Sequence, residues 1–484
     1  MSQPIGPAAS SSATNSPENI VCESFELLRR AYFRAPYPSY AERCTYLDTL
    51  CDLLRSNQQV IAEAIAADFG GRSTDETRLA EVFLPINAIK YIRHHLRKWM
   101  RSQPRSVPFS LGFGRAKVVY QPLGVVGVIS PWNYPVLLAL GPAAYALAAG
   151  NRVLIKPSEF TPRTAELLKK LVNVHFDHEV MSVVTGGPDV AEAFSKLPFD
   201  HILFTGSTQV GRLIMKAAAE NLVPVTLELG GKSPAILHDS FPLEPAARRI
   251  VFGKWANAGQ TCIAPDYVLV SEDRRDALVE ELVRAIRNSY PTIKDNPDYT
   301  SIISMRHYER LCALIADAEA RGARKIAIKA DDEETPDETR RLPPTLLLDV
   351  RDEMKVMQQE IFGPILPIMT YRTLNDAIAY VNQHPRPLAL YYFDRSRKRV
   401  TDILQRTISG GVSLNDVALH FFIDDLPFGG VGASGMGRYH SFDGFETFSH
   451  KKPVFLQSRF NTTGLLSAPY GDRLNKVLKV LIGT

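Results

Sequence analysis

The sequence predicts an α/β protein of more than one domain, its parallel sheets wound between crossover helices in the doubly wound style. Three observations lead there. Short apolar runs alternate with helical patterns between residues 116 and 230. A second alternation of the same kind runs from 234 to 415. And 484 residues are too many for one ordinary core.

The elements follow in order. Residues 1–20 are rich in Ser, Ala and Pro, with neither a basic start nor an apolar run, and read as a disordered leader rather than a signal peptide. Residues 23–100 read as helices: FELLRRAYFRA, the long stretch 42–71 and the stretch 77–100 all carry apolar residues at three-and-four spacing. Gly70 and Gly71 supply a stop. The strands VVGVIS, RVLIKP, VMSVVTG, HILFTG and PVTLEL then alternate with helices at 135–150 and 164–176. Segment 330–344 is acidic and turn-rich and reads as a surface loop. The tail places Leu474, Val477, Leu478 and Leu481 at helical spacing, which suits docking on the body or on a partner subunit better than membrane attachment. Peripheral membrane contact there stays open.

Composition narrows the function classes. Charged residues at 22% and hydrophobic ones at 45% describe a soluble enzyme rather than a disordered or membrane-embedded chain. No apolar stretch approaches the roughly 20 residues of a span. A net charge of +4 with no basic stripe gives nucleic-acid binding no support. The cysteines (22, 44, 51, 262 and 312) are odd in number and scattered, which points to reduced thiols in the cytoplasm, not to disulfides or zinc. No ligand spacing for a catalytic metal occurs, so none is expected.

The chemistry concentrates in two Gly-rich segments. Glu228 stands in VTLELGGKSP and Cys262 in WANAGQTCIAP. A thiol nucleophile needs a group that manages protons and water, and a glycine-rich setting lets substrate approach. Leu227 and Leu229 suggest partial burial of Glu228, which would disfavour its charged form. A phosphate-type turn, Gly206-Ser207-Thr208-Gln209-Val210-Gly211, follows a strand and opens a helix; it suits a pyrophosphate, or is an ordinary turn capped by Ser207. Two other glycine patterns are decoys. GVGASG (430–435) has no following strand with a ribose-binding acid, and GGKS (230–233) lacks the earlier glycine of a phosphate loop, position 226 being Thr. Lys232 is expected to be structural.

ISPWNYP (129–135), LIKPSE (154–159), FTGSTQVG (204–211), LELGGKSP (227–234), GQTCIAPDY (259–267), EIFGP (360–364) and PFGGVGASGMGR (427–438) together resemble the NAD(P)-dependent aldehyde dehydrogenase superfamily, from about residue 25 to about residue 460. The resemblance is to its class 3 branch, and within that to bacterial enzymes acting on coniferyl aldehyde.

It implies a Rossmann-type cofactor domain (21–103 and 124–227), an α/β catalytic domain (228–425) and a small β element (104–123 and 440–460) that bridges subunits of a homodimer, followed by the tail (461–484). It implies that Cys262 attacks an aldehyde, Asn133 stabilises the oxyanion and Glu228 activates the water that hydrolyses a thioester. Lys156 and Glu159 would hold the adenosine ribose, Glu360 the nicotinamide ribose, and Phe362 and Trp132 would pack in the cofactor site. A carboxylate at 159 favours NAD, with NADP left open. Trp132, Tyr134, Phe252, Trp255 and Phe422 crowd the motifs; those that are pocket walls rather than core would suit an aromatic, coniferyl-type or medium-chain apolar aldehyde. The rival readings are a coenzyme-A-acylating enzyme, which needs no Glu228, and a non-catalytic homologue, which needs none of the three.

Overall fold

The computed structural model describes residues 17–108, 113–459 and 467–483. Its first helix, Pro17–Arg34, begins inside the stretch read as leader, so residues 17–20 are helical; the rest of that reading lies outside the described residues.

A six-stranded sheet has the spatial order Gly435–Met436, Val225–Glu228, His201–Thr205, Val125–Ile129, Arg152–Lys156, Met181–Val183. All neighbours are parallel except the first pair. The three middle strands are buried along their whole length, as the unbroken apolar runs required. Chain order runs outward one way from Val125–Ile129 and then restarts on its other side at His201–Thr205. Such a reversal opens a crevice at the carboxyl ends of the strands, where ligands bind in open α/β sheets. Segments 130–133, 206–207 and 157–159 all leave the sheet at that edge.

The second alternation forms a seven-stranded sheet. Its order is Arg324–Ala327, Thr345–Leu348, Ile365–Tyr371, Tyr267–Ser271, Pro234–Leu237, Ala389–Phe393, Gly411–Leu414, parallel apart from the first strand. A third sheet is antiparallel, with Arg115–Pro122 between Gln103–Arg105 and Ser449–Leu456.

Two helical stretches are less regular than their periodicity predicts. The stretch 42–71 is two helices, Tyr40–Ser56 and Gln58–Phe69, broken at Asn57, whose side chain bonds back to the Leu53 carbonyl at 2.8 Å. The second ends on Gly70 in the left-handed region, φ 70°. The stretch 77–100 contains a π-helical turn, Arg78–Phe83, before the regular helix Leu84–Trp99. One extra residue per turn there rotates Glu81 into the core.

Candidate active site

The crevice is a cleft of about 1170 Å³ that continues into an inner pocket of about 240 Å³. Both share Trp132, Gly206, Ser207, His307 and Arg310 in their walls. Lys156 and Glu159 line the cleft; Asn133, Glu228, Cys262, Glu360 and Phe362 line the inner pocket. Of the candidate catalytic and cofactor-binding residues, all but Gly211 are therefore at this site. That glycine sits under Leu229, whose Cδ2 would lie 2.7 Å from an added Cβ, so it serves helix-on-strand packing instead of the cleft.

Asn133 is buried, and its Nδ2 donates to the Gln260 carbonyl at 3.0 Å. One amide hydrogen is thus used to aim the other. Its own carbonyl accepts from Arg72 Nη1 at 2.9 Å and from Asn257 Nδ2 at 3.0 Å. The loop before Cys262 passes through two non-glycine residues in the left-handed region, Asn257 at φ 51° and Ala258 at φ 52°. Backbone strain of this kind persists only where the surroundings hold it; here the Asn257 and Gln260 side chains do so through bonds at 3.0–3.2 Å.

The inner pocket raises the pKa of the acidic groups that line it. Burial pushes the Cys262 thiol up to about 12, with the carboxylates of Glu360 and Glu228 adding to the effect. Glu228 is more deeply buried than its leucine neighbours implied, and neither carboxylate oxygen has a hydrogen-bond partner. Burial alone raises it well above the ordinary carboxylate range. Its backbone is pinned on both sides, opposite Thr205 in one strand and Gly435 in the other, while Leu229 N donates to Ser434 O at 3.0 Å. The decoy GVGASG thus braces the Glu228 strand. Glu360 is raised to about 8, by burial first and then by Asp266.

Lys232 bonds Asp266 and the carbonyls of Val356 and Gln359 at 2.8 and 3.1 Å, a bridge between loops. Lys156, nearly fully buried, pairs with exposed Glu159 at 3.1 Å. Ser207 caps the helix Thr208–Ala219 by accepting from Val210 N, and its residue also borders the cleft. Gly206 is needed by Phe204, whose ring would lie 2.5 Å from a Cβ there. Phe362 adopts φ 50° and meets Trp132 edge-on, ring centroids 5.3 Å apart.

Of the five aromatic candidates for the substrate, only Trp132 lines the inner pocket. Trp255 is core, at 1% exposure, and Phe252 is half exposed. Tyr134 lies over the Arg72 guanidinium at 4.8 Å, and its hydroxyl pairs with Thr261 at 3.0 Å.

Sequence reasoning missed Arg72, Glu81, Asn257, His307 and Arg310. Asp266 stood in a quoted motif, and Arg72 directly follows the glycine stop. Nothing local marks Glu81 or His307. Among the described residues no group of three or more His, Cys, Asp and Glu converges as metal ligands.

With this geometry in place, comparison with known proteins gives a consistent answer. Residues 29–454 match the aldehyde dehydrogenase family. The chain is 52% identical over 454 residues to the probable coniferyl aldehyde dehydrogenase of Pseudomonas aeruginosa, covering 94% of each. It superimposes on the substrate-bound state of Staphylococcus aureus AldH with a TM-score of 0.91 and 37% identity, covering 96% of this chain and all of that one. A Mycobacterium tuberculosis aldehyde dehydrogenase complexed with NAD+ matches with a TM-score of 0.82 and 30% identity, covering 92% and 91%. This chain belongs to the aldehyde dehydrogenase family and uses a nicotinamide cofactor to oxidise an aldehyde.

Proposed function

We propose that Cys262, Asn133 and Glu228 carry this oxidation, that the aldehyde is an aromatic one of the coniferyl type, and that NAD is the preferred cofactor. The observation that carries the reading is the convergence of those three side chains on one inner pocket at the end of a cleft of about 1170 Å³.

The residues fit a nicotinamide dinucleotide. Lys156 and Glu159 offer an ammonium and a carboxylate to ribose hydroxyls at the cleft wall, and Glu159 would repel a 2′-phosphate. At the inner end Glu360 fills the space a side chain at 230 would take. When bound, the cofactor supplies the acceptor for the hydride.

The Cys262 thiol releases its proton to solvent, the one proton the overall oxidation sets free, and the sulfur adds to the carbonyl carbon of the aldehyde. Negative charge then collects on the former carbonyl oxygen. Asn133 Nδ2 and the Cys262 backbone N–H receive it, the amide already aimed by Gln260. Loss of hydride from the tetrahedral carbon leaves a thioester on Sγ. Glu228, once ionised, is a strong base because its dry surroundings favour proton uptake, and it takes the proton of the attacking water. The acid departs and the thiol regains its proton.

The relative's name and the lining by Trp132 support the aromatic substrate. The antiparallel sheet that carries Ser449–Leu456 as an edge strand beside Arg115–Pro122 supports a homodimer joined through it. Five free thiols support the cytoplasm. No helix among the described residues is long and apolar enough to cross a membrane.

The test is reduced-nicotinamide formation by the purified protein with aliphatic through cinnamyl-type aldehydes, using NAD and then NADP. The highest kcat/KM is expected for a cinnamyl-type aldehyde with NAD. Cys262→Ala should abolish turnover while cofactor still binds; unchanged turnover by that variant removes the thiol from the mechanism.

A further inference from the structure

Behind Asn133, and touching neither cavity wall, lies a buried ion pair that the reaction scheme does not use. Arg72 and Glu81 are both fully buried at their side chains, 3.4 Å apart. Ion pairs buried to this degree carry a large desolvation cost and are weak evidence for stability. Their hydrogen bonds suggest another use.

Glu81 Oε2 accepts from the backbone N–H groups of Val136 at 3.0 Å and Leu137 at 2.8 Å. These open the helix Leu137–Ala149, which has no side-chain cap of its own because Pro135 and Val136 precede it. Glu81 is thus a cap delivered from a distant turn, and the π-helical geometry of Arg78–Phe83 is what turns it inward. Arg72 compensates the carboxylate and, with the same Nη1, donates to the Asn133 carbonyl at 2.9 Å. Its guanidinium is held between the rings of Phe69 and Tyr134 at 5.1 and 4.8 Å. Tyr134 in turn reaches Thr261, the residue before Cys262. The peptide of Asn133 is therefore clamped from both sides, at its carbonyl by Arg72 and at the following helix start by Glu81.

We propose that Arg72 and Glu81 are positioning residues that fix the Asn133 amide toward the oxyanion and so set the rate of thioester formation. This rests on the oxyanion role assigned to Asn133. Stabilisation by a preorganised donor depends on its direction, so a small rotation of the Asn133 peptide lowers the rate without changing how the cofactor binds.

The experiment compares Glu81→Gln, Arg72→Lys, Asn133→Ala and the double variant Glu81→Gln/Asn133→Ala. It reads the rate constant of the first burst of reduced nicotinamide at saturating NAD, the NAD Kd and the melting transition. Glu81→Gln and Arg72→Lys should each slow the burst about 10- to 100-fold with the NAD Kd unchanged. The double variant should be within about twofold of Asn133→Ala, because the pair acts through that side chain.

An unchanged burst in both single variants, beside a slowed one in Asn133→Ala, overturns the proposal. So does a double variant whose losses multiply, which would give the pair an independent role. Loss of the melting transition or of NAD binding in Glu81→Gln and Arg72→Lys makes the pair a folding element and also overturns it. An unchanged burst in Asn133→Ala instead sinks the oxyanion assignment itself.

Discussion

Gly230 and Glu360 approach so closely that a Cβ built on Gly230 would lie 2.0 Å from Glu360 Oε2. The glycine is there for the carboxylate. Its φ lies outside the left-handed region, so backbone conformation does not require glycine at this position. Alanine should therefore fold normally and displace Glu360. Gly230→Ala is expected to lower kcat/KM for the cofactor about 10- to 100-fold with little change in melting temperature, since an ångström of misplacement at a reacting site costs that much. Steady-state kinetics at varied NAD, beside a thermal melt, checks this. An unaltered KM and kcat would mean that Glu360 does not contact the cofactor.

The Cys262 thiol, pushed up to about 12, should be unreactive near neutral pH in the free protein. Thiolate is the alkylating species, so below the thiol's own value the rate grows about tenfold per pH unit. Iodoacetamide modification of Cys262, followed by peptide mapping to separate it from exposed Cys22, should show that slope without a plateau up to about pH 9. A plateau near neutrality would reveal an activating partner absent from the described geometry.

Glu228 makes a prediction about stability as well as turnover. Burial raises it well above its ordinary value, so the folded protein keeps a proton that the unfolded chain gives up. The associated stability is fully present below the ordinary carboxylate value and is lost as pH rises toward the folded one. Glu228→Gln removes that titration. Its melting temperature relative to the parent should be more favourable near about pH 8 than near about pH 5. In stopped flow the same variant should give one burst of reduced nicotinamide and then stall. Full steady-state turnover would take the base role from Glu228.

Cofactor choice should turn on Glu159. Replacing its carboxylate by an amide keeps a ribose partner and removes the charge facing a 2′-phosphate. Glu159→Gln is expected to raise the NADP-to-NAD ratio of kcat/KM about tenfold, the worth of one relieved like-charge contact. An unmoved ratio would place the discrimination elsewhere on the cleft wall.

How much of this was legible varies with the kind of feature. Five of the six strands of the first parallel sheet were readable because a strand buried on both faces must be an unbroken apolar run, and VVGVI, RVLIK and HILFT are such runs. Asn57 was not readable as a helix break, because the apolar spacing continues across it and only a side-chain bond to Leu53 ends the helix. The π-helical turn at 78–83 left no periodic trace either. Gly211 was read as a phosphate-turn glycine, yet its reason for being glycine is Leu229, on the neighbouring strand. Trp255 was left open between pocket wall and core by the sequence, and the helix Leu243–Trp255 turns it into the core.

The sequence by itself determined the α/β class, the alternation that builds two parallel sheets, and the candidates for nucleophile, general base and oxyanion donor. Those are properties of residue type and local pattern, and they survive in one dimension. Only the tertiary structure decided the charge states and the supports. Cys262 and Glu228 both hold their protons more tightly because they line one desolvating pocket with Glu360, and that desolvation is set by which loops meet there. Arg72 and Glu81 bear on Asn133 because a π-helical turn far back in the chain faces the start of another helix. The free energy of a charge depends on its surroundings in three dimensions, and no local pattern carries that information.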